Sequence, residues 1–191
     1  RDSSTSRGLG DVYKRQDLTF CYEGSYDNIF ENVSFQLDTN WRLGLTGRNG
    51  RGKTTLLRLL QGQYPYQGTI HASVGFDYFP FDVPDAAQSP MELLARICPD
   101  VPPWRFLREL APLEMSEDAL YRPFSTLSGG EQSKLLLAML FSRENRFLLI
   151  DEPTNHLDRT GRELVSRYLS GKKGFLLVSH DRAFLDGCVD H

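Results

Sequence analysis

Residues 47–54 combine three glycines with a lysine and a threonine at the spacing that phosphate binding requires, GxxxxGK[ST]. The glycines let the backbone turn its N–H groups toward one point, and a following helix adds the positive end of its dipole. Lys53 would place a mobile charge on the β- and γ-phosphates of a nucleotide, and the Thr54 hydroxyl is placed to bind Mg²⁺. A glycine-rich turn without a ligand is the alternative, and the complete pattern argues against it. The nucleotide-binding residues predicted here are Gly47, Asn49, Gly50, Gly52, Lys53, Thr54 and Thr55.

Two adjacent carboxylates, Asp151 and Glu152, directly follow an apolar run at 147–150. Adjacent side chains of a strand point to opposite sides, so the two groups can serve separate roles. Asp151 is predicted to bind the metal together with Thr54, and Glu152 to orient or deprotonate the attacking water. Strands often end in solvated acids, but the phosphate loop in the same chain favours the catalytic interpretation.

The elements that must position these groups alternate between short apolar runs and helical patterns, which is typical of an α/β domain. The runs at 147–150 and 175–178 contain no polar residue, as in strands buried on both faces of a parallel sheet. A helix is predicted over 54–60, and a proline-punctuated, helix-biased stretch predicts a separate helical lobe over about 82–142. The predicted strands cover residues 18–22, 33–37, 41–46, 69–71, 74–79, 147–150 and 175–178.

Three further segments resemble the motifs of ATP-binding cassette (ABC) proteins. Residues 127–131, Leu-Ser-Gly-Gly-Glu, resemble the ABC signature, and they also form an S-x-x-E capping box for a helix. Residues 151–158, Asp-Glu-Pro-Thr-Asn-His-Leu-Asp, and 177–182, Leu-Val-Ser-His-Asp-Arg, complete the set. The resemblance implies an α/β P-loop NTPase of the ABC type, with a mostly parallel core sheet, an antiparallel β portion and a helical lobe.

The resemblance also implies a composite site, in which two such domains enclose each ATP with its Mg²⁺. The signature residues would face the γ-phosphate bound to the opposite domain, and residues 155–158 would communicate across the pair. Tyr22 would stack on adenine; Tyr26 is a second candidate, and either could be a surface aromatic. The catalytic residues implied are Glu152, His180 and Lys53, and the signature residues implied to bind nucleotide are Ser128, Gly129 and Gly130.

Within this family the motifs are similar to those of ABC-F proteins. Glu131 follows Ser-Gly-Gly directly, and residues 153–158 read Pro-Thr-Asn-His-Leu-Asp, where transporters have Ser-Ala-Leu-Asp. ABC-F proteins carry two cassettes on one chain, have no membrane part and act on the ribosome in translation or antibiotic protection. The resemblance thus implies a cytoplasmic ATPase whose partners are a second cassette and the ribosome, with this cassette more like the first. A transporter ATPase, and a binding module that switches with ATP but barely hydrolyses it, are the alternatives.

One position departs from the family pattern. ABC domains usually carry a Gln at the sheet edge that touches the metal, and the equivalent place here is Phe81. A phenyl ring can neither bind Mg²⁺ nor hydrogen-bond to water. Asp82 or Gln88 are the candidates to substitute for it.

The start of the chain and its overall composition give two further indications. Residues 6–16 match the translation of a transposase-type sequencing adapter, so residues 1–16 are predicted to be non-native, with the cassette at 17–191 truncated at its C-terminus. A net charge of −3 gives no basic footprint for nucleic acid, and three cysteines without CxxC spacing fit a reduced compartment. The apolar runs are too short to cross a bilayer.

Overall fold

The computed structural model describes residues 12–20, 30–33, 36–46, 52–64, 67–70 and 74–190. Within these ranges the chain forms eight strands, six α-helices and three 3-10 turns. The strands are β1 (Val12–Phe20), β2 (Phe30–Val33), β3 (Gln36–Asp38), β4 (Arg42–Leu45), β5 (Gln67–Ile70), β6 (Gly75–Phe79), β7 (Arg146–Asp151) and β8 (Phe175–Val178). The helices are α1 (Lys53–Leu60), α2 (Pro90–Ile97), α3 (Pro103–Leu110), α4 (Gly129–Ser142), α5 (Arg159–Ser170) and α6 (Arg182–Cys188). The 3-10 turns lie at Ala111–Leu113, Glu117–Leu120 and Phe124–Thr126.

A parallel sheet with the strand order β4-β8-β7-β6 forms the centre of the fold. β7 pairs with β8 so that Asp151 lies beside Val178, and β4 pairs with β8 so that Leu45 also lies beside Val178. β6 pairs with β7 on the other side, where Phe79 lies beside Ile150. The predicted α/β fold with a parallel core sheet is therefore confirmed, and the carboxyl ends of four strands meet at one edge.

Helices cover both faces of this sheet, and the side chains of β7 and β8 alternate between the two faces. Phe147 and Leu149 pack with α1 on one face, while Leu148 and Ile150 pack with the remaining helices on the other. All four are almost fully buried. Burial on both faces explains why these strands are unbroken apolar runs.

The antiparallel β portion is built on β1, which pairs with β2, β3 and β5. The sequence predicted this strand at 18–22, but β1 begins at Val12, and its first residues pair with β3. Residues 12–16 thus belong to a strand, whereas no strand pattern was predicted there; that residues 1–16 are non-native stays a prediction. The strand predicted at 33–37 is seen as two, β2 ending at Val33 and β3 beginning at Gln36.

The helical lobe contains α2, α3 and α4 together with the three 3-10 turns. It was predicted to be separate, but it shares one buried cluster with the sheet, which extends from Leu93 of α2 to Leu185 of α6. α3 packs mainly on α4. Among the helices of the described residues, none has both the length and the apolarity needed to cross a membrane.

Candidate functional site

The predicted functional residues converge on the carboxyl edge of the parallel sheet, where β4, β6, β7 and β8 all end. In open α/β sheets, ligands bind in the crevice outside this edge. β4 leads toward the phosphate loop, β7 ends at Asp151, and β8 leads to His180. One edge therefore holds groups that are more than a hundred residues apart in the chain.

The end of the phosphate loop is described from Gly52 onward. Gly52 has a φ of 87°, a left-handed conformation that a side chain would strain, and its carbonyl accepts the Leu56 N–H at 2.8 Å. α1 begins at the next residue, so the half-buried Lys53 and the exposed Thr54 lie on its first turn, and Thr55 beside them is buried. The predicted residues Tyr22, Gly47, Asn49 and Gly50 lie outside the described residues.

The two predicted metal-binding residues are in contact. The Thr54 hydroxyl donates to Asp151 Oδ2 at 3.0 Å, which joins the first turn of α1 to the end of β7. Mg²⁺ prefers oxygen donors and usually takes only one or two groups from the protein, with water and phosphate supplying the rest. This hydroxyl–carboxylate pair fits that requirement. No group of three or more His, Cys, Asp or Glu suited to a metal occurs in the described ranges.

Tyr78, which was not predicted, also contacts Asp151. Its hydroxyl donates to the same Oδ2 of Asp151 at 2.7 Å, from the penultimate position of β6. Burial first, and then this hydrogen bond, raise the pKa of the Tyr78 phenol well above its usual range, so it remains a donor at neutral pH. A strand-end tyrosine one strand away from the predicted carboxylate was the available signal.

Glu152 and His180 form a pair beside this cluster. Glu152 Oε1 accepts the His180 backbone N–H at 3.0 Å, and Oε2 lies 2.9 Å from His180 Nδ1. The Glu152 side chain is 21% exposed and that of His180 is 64% exposed. Glu152 also has a φ of 48°, while its N–H donates to the Val178 carbonyl at 2.8 Å. A left-handed glutamate is uncommon, and backbone strain of this kind concentrates at functional sites.

The predicted signature residues lie at the N-terminus of α4. Ser128 Oγ accepts the Glu131 N–H at 3.1 Å, and Glu131 Oε1 accepts the Ser128 N–H at 3.1 Å, so the capping box is formed. A Cβ added at Gly129 would lie 2.9 Å from His156 Cβ, and one added at Gly130 would lie 3.1 Å from the His156 carbonyl oxygen. These hydrogen bonds of Ser128 go to Glu131, and not to the Thr54–Asp151 pair.

Two other motif residues have structural roles in the fold. Asp158 caps α5 by accepting the Gly161 N–H at 2.7 Å, and Asp181 caps α6 by accepting the Phe184 N–H at 3.1 Å. The short loop between β7 and α5 is thus fixed at both of its ends, by the Glu152 contacts and by the Asp158 cap.

Neither proposed substitute for the edge Gln contacts Asp151. Phe81 is half-buried and packs against the large core cluster. Asp82 is exposed, and Gln88 hydrogen-bonds within the lobe, accepting from Arg96 at 3.4 Å and, through its carbonyl, from the Phe124 N–H at 2.9 Å. The β6 residue that contacts Asp151 is Tyr78.

A glycine turn that opens a helix, a hydroxyl–carboxylate contact and a glutamate beside it are typical of a P-loop nucleotide-binding domain. The chain belongs to the ABC transporter family, whose profile matches residues 30–94 and 99–155. This match supports an ATP-binding ABC domain.

The curated relatives include several F-family proteins. The chain is 33% identical over 181 residues to "ABC transporter F family member 3" of Arabidopsis thaliana. The matched region covers 91% of this chain and 25% of that protein. It is 34% identical over 181 residues to "ATP-binding cassette sub-family F member 3" of Homo sapiens. It is 35% identical over 188 residues to "ATP-binding protein Uup" of Escherichia coli, covering 93% of this chain and 29% of that protein. The predicted similarity to ABC-F proteins is confirmed, and the chain spans about a quarter of the length of these relatives.

Solved structures show the same fold. One is described as a metal-chelate type ABC transporter in an inward-facing conformation, with a TM-score of 0.76, 24% identity, and coverage of 95% of this chain and 77% of that chain. Another, described as a cobalt transport ATP-binding protein, has a TM-score of 0.71 at 23% identity and covers 92% of this chain and 72% of that chain. At these identities the likeness concerns the fold.

Proposed function

We propose that this chain hydrolyses ATP as one cassette of a two-cassette ABC-F protein that acts on the ribosome in the cytoplasm. The observation that carries the enzymatic part is the Glu152–His180 pair, which lies next to the Thr54–Asp151 pair at the carboxyl edge of the sheet. A general base and a cation site are the two groups that phosphoryl transfer to water requires.

Different residues of the site have different roles in the proposed reaction. Lys53 and the N-terminus of α1 bind the phosphates, because both present positive charge at the mouth of the phosphate loop. Thr54 and Asp151 hold Mg²⁺, which when bound neutralises negative charge on the β- and γ-phosphates. Their two oxygens already face each other at 3.0 Å, so the cation needs little rearrangement of the protein.

Glu152 is the group that activates water. Its carboxylate accepts a proton from a water molecule whose oxygen attacks the γ-phosphorus, while the bond to the bridging oxygen of ADP breaks. His180 holds the carboxylate through its ring nitrogen and through its backbone N–H. Two contacts on two different carboxylate oxygens fix the orientation of the base, and orientation is a large part of catalysis.

A second cassette completes the site in this proposal. Ser128, Gly129 and Gly130 form a helix N-terminus, which favours an anion, yet the Ser128 hydrogen bonds lie within its own capping box. The family arrangement implied by the motifs directs this helix toward the ATP of a partner cassette. The relatives, of which this chain covers 25–29%, have room for such a partner.

The ribosome is proposed as the partner from the F-family similarity. Relatives at 33–35% identity carry F-family names or the plain name of an ATP-binding protein, and the transporter structures are similar only at 23–24% identity. The motif at 153–158 supports the same branch. A transporter ATPase is therefore not the function proposed here.

The test is ATP turnover by the intact two-cassette protein and its Glu152→Gln variant. We expect turnover to fall by at least about 100-fold, because glutamine cannot accept the proton, while binding of a fluorescent ATP analogue persists. Glu163→Gln is the matched control, since Glu163 is an exposed glutamate on α5 that pairs only with its neighbour Arg159 within the described contacts.

Equal turnover of the wild type and the Glu152→Gln variant would remove Glu152 as the base. The same proteins test the partner when they are sedimented with ribosomes. We expect the Glu152→Gln variant with ATP to pellet with ribosomes, because it retains ATP and the state that ATP stabilises. A variant that binds ATP but never pellets with ribosomes would contradict the ribosomal part alone.

A further inference from the structure

Two donors converge on one oxygen of the carboxylate that is proposed to bind Mg²⁺. Asp151 Oδ2 accepts from Thr54 Oγ1 at 3.0 Å and from Tyr78 Oη at 2.7 Å. The Thr54 hydroxyl is expected to turn to the metal when the nucleotide is present, because that is the role of this residue in a phosphate loop. The contact of the Tyr78 hydroxyl with Asp151 is the shorter of the two, and the phenol also interacts with Arg58 of α1.

The strand register explains why a tyrosine reaches this carboxylate. β6 and β7 are parallel, with Tyr78 beside Leu149 and Phe79 beside Ile150. Tyr78 packs on the α1 face of the sheet, as do Phe147 and Leu149 of β7. Because side chains alternate along a strand, Asp151 lies on that face too, two residues beyond Leu149. The phenol ring therefore packs on the face of the sheet that α1 covers, while its hydroxyl reaches Asp151 at the end of β7.

The position expected to touch the metal from the end of β6 is occupied by Phe81, which packs into the core instead. Asp82 and Gln88 do not contact Asp151 among the described hydrogen bonds, and Tyr78 does. A neutral hydroxyl suits this place, because it orients a carboxylate by donating one hydrogen bond and does not repel a cation. A half-buried donor is also held more firmly than an exposed one.

We propose that Tyr78 is a positioning residue for the metal site: it fixes Asp151 through Oδ2 and ties the end of β6 to the cation in place of the expected Gln. Tyr78 acts through Asp151 and does not touch the nucleotide. The proposal rests on the proposed ATPase function, since it concerns the cation of the same site. It predicts that the loss of the hydroxyl affects the response to Mg²⁺ and leaves the binding of the nucleotide itself unchanged.

The experiment is a Mg²⁺ titration of fluorescent ATP binding by the chain, its Tyr78→Phe variant and a Tyr121→Phe control. Phenylalanine keeps the ring that packs on α1 and removes only the hydroxyl, and Tyr121 is an exposed tyrosine of the lobe at 64% exposure. Hydrogen-bond partners of metal ligands typically change metal affinity by 10-fold or more. We expect the Mg²⁺ concentration for half-saturation to rise about 10-fold in Tyr78→Phe and to stay unchanged in Tyr121→Phe.

Binding measured in EDTA should be equal for all three proteins, and each should remain folded at the temperature of the assay. ATP turnover should fall at low Mg²⁺ and recover at saturating Mg²⁺, a pattern that a merely structural role would not produce. An unchanged Mg²⁺ response in Tyr78→Phe, or a loss of nucleotide binding that is equal with and without Mg²⁺, would overturn the proposal. If the wild type itself binds nucleotide with no dependence on Mg²⁺, the proposed function fails along with it.

Discussion

His180 shows how one side chain can matter for catalysis without being the base. It contacts both oxygens of Glu152, once through the ring and once through the backbone N–H. Removing the ring leaves the backbone contact and the left-handed conformation of Glu152 in place. The carboxylate would then keep its hydrogen bond at Oε1 and lose the one at Oε2, so its orientation would be less fixed. It could still accept a proton from the attacking water.

We therefore expect His180→Ala to keep ATP binding and to lose up to about 100-fold in turnover, the size of effect that a misplacement near 1 Å can have. Glu152→Gln should lose more, because it removes the base itself. Steady-state ATP turnover of the two variants in the intact protein is the measurement. Turnover of His180→Ala at the wild-type level would show that the contact with Glu152 has no part in catalysis.

At the residue scale, the sequence is most informative where residue types at fixed spacing indicate one site. Thr54, Asp151 and Glu152 were predicted, and the structure places the first two in direct contact. Tyr78 was not predicted, because its contact with Asp151 depends on the register between β6 and β7, which joins positions 73 residues apart. The spacing of residues within one motif contains no information about that register.

Two helices of the chain begin with the same chemistry, and this allows a matched test of the signature. Ser89 caps α2 with Glu92 at N3, and Ser128 caps α4 with Glu131 at N3; both capping boxes are complete. Ser89 is buried within the lobe, whereas Ser128 is exposed at the motif that the family places against nucleotide. As helix caps alone, the two serines should be equivalent.

We expect Ser89→Ala and Ser128→Ala each to lower the free energy of unfolding by about 1 kcal/mol, the usual cost of losing an N-cap. Only Ser128→Ala should also lower ATP turnover in the intact two-cassette protein. Urea unfolding and steady-state turnover of both variants give the comparison. An equal effect on turnover in the two variants would mean that Ser128 acts as a cap and not as a nucleotide-binding residue.

At the element scale, continuous apolar runs identified β7 and β8 because burial on both faces excludes polar residues. β1 was harder to predict, since its pairing with β3 uses backbone groups that every residue carries. The single strand predicted at 33–37 corresponds to β2 and β3 in the described residues. Periodicity reports burial, and it contains little information about which strands pair.

The helical lobe packs more closely against the sheet than the sequence indicated, because the two share one buried cluster. A buried glutamate of α3, Glu109, contacts Lys172 and accepts the Tyr168 hydroxyl at 2.7 Å, and both of these residues lie on or next to α5. Burial first, and then Glu109, raise the pKa of Tyr168 above its usual range. Prolines and helical periodicity predicted the lobe. Contacts between distant elements, such as those of Glu109 with Tyr168 and Lys172, join the core of the lobe to that of the sheet, and the sequence did not indicate these contacts.

For the molecule as a whole, we propose that ATP is hydrolysed in a site completed by a second cassette, with Glu152 as the base. Steady-state ATP turnover of this chain alone, measured over a wide range of protein concentration, tests it most directly. We expect slow turnover whose rate per chain rises with concentration, because Ser128 of one copy must reach the nucleotide of another. We also expect Glu152→Gln to abolish this turnover. Rapid turnover that is independent of concentration, or that survives Glu152→Gln, would contradict it.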